Sequence, residues 1–162
     1  MRIGIIADTH IPGRRSRLPG VVAETFAGVD LILHAGDINH LSVLRDLNTI
    51  APTFAVAGNS DPPGLQEALG YQRVFDLAGY RIGLTHGHRG PGRTTPERAW
   101  RTFGGRMDVV VFGHSHQPLD QWRESCLLLN PGSPTDKRRE RRYSLAILTL
   151  TEEINSGIVY FD

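Results

Sequence analysis

Three short apolar runs near the start of the chain each break off at a polar cluster, and this repetition limits the fold more than any other feature. Ile3 to Ala7 ends at Asp8-Thr9-His10, Leu31 to His34 at Ala35-Gly36-Asp37, and Thr53 to Ala57 at Gly58-Asn59-Ser60-Asp61. Runs of this length bounded by turn formers read as buried strands. Between them, Pro19 to Ala27 and Leu41 to Ile50 carry apolar residues at helical spacing. Strand–helix–strand alternation predicts a largely parallel sheet with right-handed crossovers. Ligands bind such sheets beyond the carboxyl ends of the strands, which is where all three clusters fall.

The second half has another texture. Arg73 to Leu77 and Arg81 to Thr85 flank Ala78-Gly79-Tyr80 and predict a β-hairpin. His86-Gly87-His88 follows, then a loop rich in Gly, Pro and Arg from Arg89 to Arg93. A helix is predicted to begin near Thr95, with Pro96 in its first turn, and to end at Gly104-Gly105. Asp108 to Phe112 is a further apolar strand, stopping at Gly113-His114-Ser115-His116. Cys126 to Leu129, Ser144 to Leu150 and Gly157 to Phe161 complete the predicted strands, with a turn over Thr151 to Ser156 between the last two. With no repeat, linker or compositional boundary, the 162 residues are expected to form one domain, 1–162.

Five strands thus end in side chains able to bind metal. Asp8 and His10, two apart, would face the same way on an extended segment, and His114 and His116 share that spacing. Oxygen and nitrogen donors in such pairs suit hard or borderline divalent cations. Each element alone is commonplace: an Asp-x-His is usually a loop or cap, and a lone Asn59 is usually a turn residue. Their recurrence at successive strand ends carries the signal.

Composition removes several function classes. Net charge is +1, so no global field favours nucleic acid or an anionic membrane. All basic residues but Lys137 are arginine, more a bias of composition than a sign of phosphate handling. Cys126 is the sole cysteine, which excludes an intrachain disulfide. The chain turns polar at Asp8, too early for a signal-peptide core, and no apolar run approaches the roughly 20 residues that span a bilayer. A cytoplasmic location, with no membrane partner, is the expectation.

The series Asp8-x-His10, Gly36-Asp37, Gly58-Asn59, His86-Gly87-His88 and Gly113-His114-Ser115-His116 resembles the signature of calcineurin-like metallophosphoesterases. The small YfcE-like phosphodiesterases of bacteria and archaea are the most similar branch, which Asn130-Pro131-Gly132-Ser133-Pro134 and His10-Ile11-Pro12 with Leu18-Pro19 also resemble. The resemblance extends from residue 1 to about residue 150. It implies an α/β (α+β) fold: a four-layer sandwich of two mixed β-sheets flanked by helices. It further implies two divalent metal ions bridged by Asp37, with Asp8, His10 and His116 completing one site and Asn59, His86 and His114 the other. Mn²⁺ is the metal the family favours, and Ni²⁺, Fe²⁺, Co²⁺ and Zn²⁺ suit the same donors. His86 is taken as the ligand of its pair, with His88 nearby either supporting the ligands or facing phosphate. Asn59 would also reach a phosphate oxygen through its amide N–H.

Ser60 stands where many members of the superfamily carry a histidine that protonates the leaving group, although the small branch tends to lack it. His88 is the candidate for that catalytic role, with Asn59 beside it. Ser60, Arg89 and Arg93 are assigned to substrate binding. The implied activity is hydrolysis of small phosphodiesters by a water activated between two metals, with aryl esters favoured over alkyl ones. The alternatives are a phosphomonoesterase, a nuclease, or a non-catalytic interaction scaffold like the small scaffold subunit of retromer. Absence of a basic-aromatic stripe argues against dedicated nucleic-acid binding. A complete donor set, costly to bury without metal, argues against the scaffold. A homodimer or higher homo-oligomer through an exposed sheet edge is the assembly in view.

Other residues read as structural. His34 is a core or supporting histidine, His40 opens a helix, and Trp100, Phe103 and Met107 belong to the core, while Trp122 is left open. Asp61 is expected to orient its loop through a hydrogen bond. Asn130 to Ser133 is read as a turn beneath the site, and Arg138 to Arg142 as a solvated loop.

Overall fold

The computed structural model describes residues 1–162, and the predicted alternation organises its first third. β1 (Arg2–Ile6), α1 (Gly20–Thr25), β2 (Leu31–His34), α2 (Leu41–Asn48) and β3 (Thr53–Ala55) follow in order, the three strands running parallel. A short helix, α3 (Pro63–Leu69), leads to the hairpin β4 (Gln72–Leu77) and β5 (Tyr80–Thr85). Next come α4 (Thr95–Thr102), β6 (Val109–Val111), β7 (Leu119–Arg123), β8 (Cys126–Asn130), β9 (Tyr143–Leu150) and β10 (Ile154–Phe161).

Two five-stranded sheets result, ordered β10-β9-β1-β2-β3 and β4-β5-β6-β8-β7. In the first the parallel strands lie toward one edge and in the second at the centre, with antiparallel neighbours in both, so both are mixed, as the resemblance implied. Central strands buried on both faces read as continuous apolar runs. Ile3, Ile5, Leu31 and Leu33 of the first sheet meet Ile82, Leu84, Val109, Val111, Leu127 and Leu129 of the second in one buried cluster. Burying each such side chain contributes about 1.5–3 kcal/mol. On the outer face of the first sheet, Ile6 and Ile32 pack under Val22, Phe26, Val43 and Leu47. Gly4 admits Phe26 there, since a Cβ would lie 2.9 Å from the ring. Ala99 and Phe103 from the α4 region cover Val110, Phe112 and Leu128 of the second sheet. The layers are therefore helix, sheet, sheet, helix, and no helix is long and apolar enough to cross a membrane.

The structure departs from the sequence reading at α3 and β7, neither of which was predicted. Pro62-Pro63-Gly64 reads as a loop, yet Pro63 sits in the first turn of a helix, where its missing N–H costs nothing. β7 is a sheet edge whose Trp122 is exposed, so it lacks an apolar face to betray it. β10 begins at Ile154, three residues before the predicted start.

Candidate metal centre

The loops that follow β1, β2, β3, β5 and β6 converge at one end of the sandwich. Main-chain bonds join them: Asp8 N–H to Gly36 O (2.9 Å), His10 N–H to Asp37 O (2.9 Å), and Gly113 N–H to His86 O (3.1 Å). Asp8, His10, Asp37, His114 and His116 all have left-handed backbone, with φ between 44° and 70°. The expected extended Asp8-x-His10 and His114-x-His116 segments are thus corrected. Each donor is turned out of its strand by a conformation that costs a non-glycine residue about 1 kcal/mol. Gly58 and Gly113 allow the close approach: a Cβ on Gly58 would fall onto the Asp37 carboxylate, and one on Gly113 would lie 2.7 Å from Asp8 Oδ2.

Asp61 braces the loops more extensively than one hydrogen bond. Its buried carboxylate accepts from the backbone N–H groups of Asp37 (3.0 Å), Ile38 (2.8 Å), Asn39 (2.7 Å) and Gly58 (2.7 Å). From the opposite side, Ser133 Oγ donates to Asp8 O (2.8 Å) and Thr135 Oγ1 to Thr9 O (2.6 Å). Asn130 Nδ2 donates to Gly113 O (2.9 Å), so the turn lies beneath the site as expected. His34 is a supporting histidine: Nδ1 accepts from Gly36 N–H (3.2 Å), leaving Nε2–H for Thr9 Oγ1 (3.0 Å). Burial pushes its pKa down to about 3. His40 caps α2 by accepting from Ser42 N–H.

The ring orientations of the donor histidines are set by carbonyls. His86 donates Nδ1–H to Ala35 O (2.7 Å), and His116 donates Nδ1–H to Asp136 O. Their Nε2 lone pairs are thereby aimed at other acceptors. His86 Nε2 lies 3.3 Å from Asp37 Oδ2 and 3.2 Å from Asn59 Oδ1. His116 Nε2 lies 3.5 Å from Asp8 Oδ1 and 3.2 Å from His10 Nε2. His10 Nε2 is in turn 3.4 Å from Asp37 Oδ2, and its ring stacks on His116 with centroids 5.0 Å apart. Asp8 Oδ1 is buried with no hydrogen-bond partner. Asp8, His10 and His116 form one group of donor atoms within 4.8 Å of one another, and Asp8, Asp37 and His86 a second.

Protons satisfy this arrangement only in part. Burial holds the pKa of His10 below its ordinary value and that of His116 at about 4, so both are neutral at pH 7. Burial likewise pushes Asp8 up to about 7, against the pull of His86. Burial opposes charge on Asp37 too, but the His86 hydrogen bond and charge, with the Ser60 N–H, hold its carboxyl well below the usual range. His86 is raised because Asp37 and Asp8 outweigh its burial. One proton on His86 can answer Asp37. A neutral His10 can donate its one ring proton to His116 Nε2 (3.2 Å), but Asp8 Oδ1 in the same corner has no donor, and a divalent cation would engage all three atoms.

The remaining sequence-predicted residues lie around this core. Asn59 reaches it, whereas His114 stands one step out, donating its backbone N–H to Asp8 Oδ2 (2.9 Å) with its ring 5.2 Å from that of His86. His88 is 5.2 Å from His86, ring to ring, and 5.7 Å from Tyr71, its buried Nδ1 without a partner. Burial and the His86 charge bring its pKa to about 4. Ser60 donates its N–H to Asp37 Oδ1 (2.9 Å), and its hydroxyl is 3.3 Å from His10 Nδ1. Arg89 lies over the Tyr71 ring at 4.2 Å, while exposed Arg93 is tied to Glu97 by its backbone N–H (3.0 Å).

Two contributors escaped the sequence reading. The Asp136 carbonyl carries no side-chain signal, although it lies three residues beyond the Asn130 to Ser133 turn. Arg138, assigned to a solvated loop, is close enough that its charge, after burial and, for His114, after the His86 charge, helps depress the pKa of His10, His114 and His116.

Residues 1–153 match the family described as the calcineurin-like phosphoesterase superfamily domain. A probable metallophosphoesterase of Methanothermobacter thermautotrophicus is 42% identical over 139 residues, covering 85% of this chain and 80% of its own length. A phosphodiesterase of Methanocaldococcus jannaschii is 27% identical over 148 residues, covering 82% and 83%. Among solved structures, Entamoeba histolytica Vps29 complexed with zinc has a TM-score of 0.77 over 100% of both chains, at 22% identity. That last likeness speaks to the fold alone.

Proposed function

Since this chain belongs to the calcineurin-like phosphoesterase superfamily, we propose that it is a metal-dependent phosphodiesterase acting on small phosphodiesters at a two-metal centre. The observation that carries the proposal is the convergence of the His10, His86 and His116 Nε2 atoms on the Asp8 and Asp37 carboxylates, including a buried Asp8 Oδ1 that no protein donor reaches. Asp8, His10 and His116 are assigned to one cation, and Asn59, His86 and His114 to the other. Asp37 is the shared ligand, supported by its Oδ2 lying 3.4 Å from His10 Nε2 and 3.3 Å from His86 Nε2. Two divalent cations, with Mn²⁺ preferred and Ni²⁺, Fe²⁺, Co²⁺ or Zn²⁺ suited by the same donors, would neutralise the phosphate and acidify the attacking water.

The chain's own groups do the positioning. The amide N–H groups of Asn59 are free to hold a phosphate oxygen once its carbonyl is committed toward His86. His88, neutral near pH 7, offers a ring N–H on the same side of the cluster and is the candidate donor to the leaving oxygen. A neutral imidazole is a weak acid, so esters with low-pKa leaving groups should turn over faster. Ser60 borders the site through His10, and Arg89 and Arg93 are placed on the loop that follows His88.

The likeness in shape to Vps29 favours one other reading, an interaction scaffold on the same fold. Hydrolysis of bis-p-nitrophenyl phosphate by metal-stripped protein, with and without added Mn²⁺, separates the two. Metal-stimulated release of p-nitrophenolate is expected. Turnover that stays at background with every metal of the series would decide for the scaffold.

A further inference from the structure

The chain's positive charge is unevenly placed. Arg14, Arg15, Lys137, Arg138, Arg139, Arg141 and Arg142 lie on two loops that touch each other, with Asp136, Glu140 and Asp162 as their nearby acids. Seven cations against three acids give this region a surplus of four, so the rest of the chain, within a total of +1, is net negative by three. Contacts hold the loops together: Arg14 pairs with Asp136 (2.9 Å), Arg15 and Lys137 both lie over the Tyr143 ring (4.8 and 5.4 Å), and Arg142 pairs with Asp162 (3.1 Å). Lys137 Nζ is further committed to Arg141 O (2.7 Å).

Arg138 and Arg139 are in no ion pair. Both line a cavity of about 360 Å³ with Ser115, Gln117, Lys137 and Glu140. Ser115 lies between His114 and His116, and the Asp136 carbonyl that orients His116 opens the same loop, so the cavity adjoins the donor cluster directly. Two free guanidinium groups beside a phosphate-handling site fit a second phosphate through bidentate hydrogen bonds. His88, the candidate donor to the leaving oxygen, is not among the residues that line this cavity, which leaves the cavity to the retained arm.

We propose that the cavity of Arg138 and Arg139 holds a second phosphate on the retained arm of the substrate, making the preferred substrates phosphodiesters that carry a further phosphate monoester. This rests on the phosphodiesterase reading above, and two readouts keep the two claims apart. In calorimetry on metal-free protein, thymidine 3′,5′-bisphosphate should bind at least about tenfold more tightly than thymidine 5′-monophosphate, the equivalent of one charge-assisted hydrogen bond. With Mn²⁺ present, the 5′-(p-nitrophenyl phosphate) of thymidine 3′-phosphate should show a similar advantage in kcat/KM over that of thymidine. In the Arg138→Ala/Arg139→Ala double variant both ratios should fall toward one, and rising salt should erode them in the parent protein.

Equal binding of the two nucleotides, or ratios that survive in the double variant, would overturn the proposal. So would a single-stranded oligonucleotide that competes better than the bisphosphate, since that places a polymer in the cavity. A binding preference without turnover of any ester would refute the phosphodiesterase reading and leave the anion pocket standing.

Discussion

The two sheets meet at one donor cluster but equip it differently. Loops of the first sheet bring the oxygen donors Asp8, Asp37 and Asn59 together with His10, whereas loops of the second bring only imidazoles, His86, His114 and His116. The first set is fixed by backbone N–H groups gathered on Asp61, the second by backbone carbonyls that accept from ring N–H groups. Crossing over strengthens both: Ala35 O, beyond the first sheet, orients His86 of the second, and His114 N–H, beyond the second, holds Asp8 of the first. Neither sheet alone can present a usable donor set. On the oxygen side one side chain, Asp61, gathers four N–H groups, whereas the His86 and His116 rings are oriented by main chain that substitution does not remove.

Three substitutions put this difference under strain. Asp37→Ala removes the carboxylate that reaches both halves and should lower kcat toward bis-p-nitrophenyl phosphate on the order of 10³-fold. Its circular dichroism should match that of the parent; activity kept within tenfold would show that the halves work without their link. Asp61→Ala leaves four N–H groups without their acceptor and should cost about 3–5 kcal/mol in urea unfolding. A cost below about 1 kcal/mol would mean that water replaces the brace. Asn130→Ala, beneath the second sheet's loop, loses donation to Gly113 O and Ser115 Oγ and should cost only about 1–2 kcal/mol. If it destabilises as much as the Asp61 variant, the contrast between the sheets is gone.

Much of this was legible because strand and donor are adjacent in the chain. Apolar runs such as Ile3 to Ala7 announce both a buried strand and the place where the next polar residues emerge, so Asp8, Asp37 and His86 stood out as candidate donors before their partners were known. The matched family and the two-sheet architecture agree with that reading. What stayed hidden was relational. Asp61 accepts from residues 22 to 24 positions away, a distance no local pattern encodes. The Asp136 carbonyl is invisible because every residue has one. The left-handed turns at Asp8 and His10 contradict an alternation argument that holds only while a strand remains extended. α3 and β7 were missed because a Pro-Pro-Gly opening and an exposed edge mimic loops.

The left-handed donors carry a further implication for how such a chain would change under selection. Five residues with Cβ atoms occupy backbone that glycine or asparagine would adopt more comfortably, at a combined penalty of about 5 kcal/mol, a large part of what a domain this size has in reserve. A library screened for heat resistance alone should drift first at Asp8, His10, Asp37, His114 and His116, toward residues that relieve the turn. A library screened for turnover should hold all five while hardening the protein elsewhere. The positions at which the two lineages part company would chart the centre from its history.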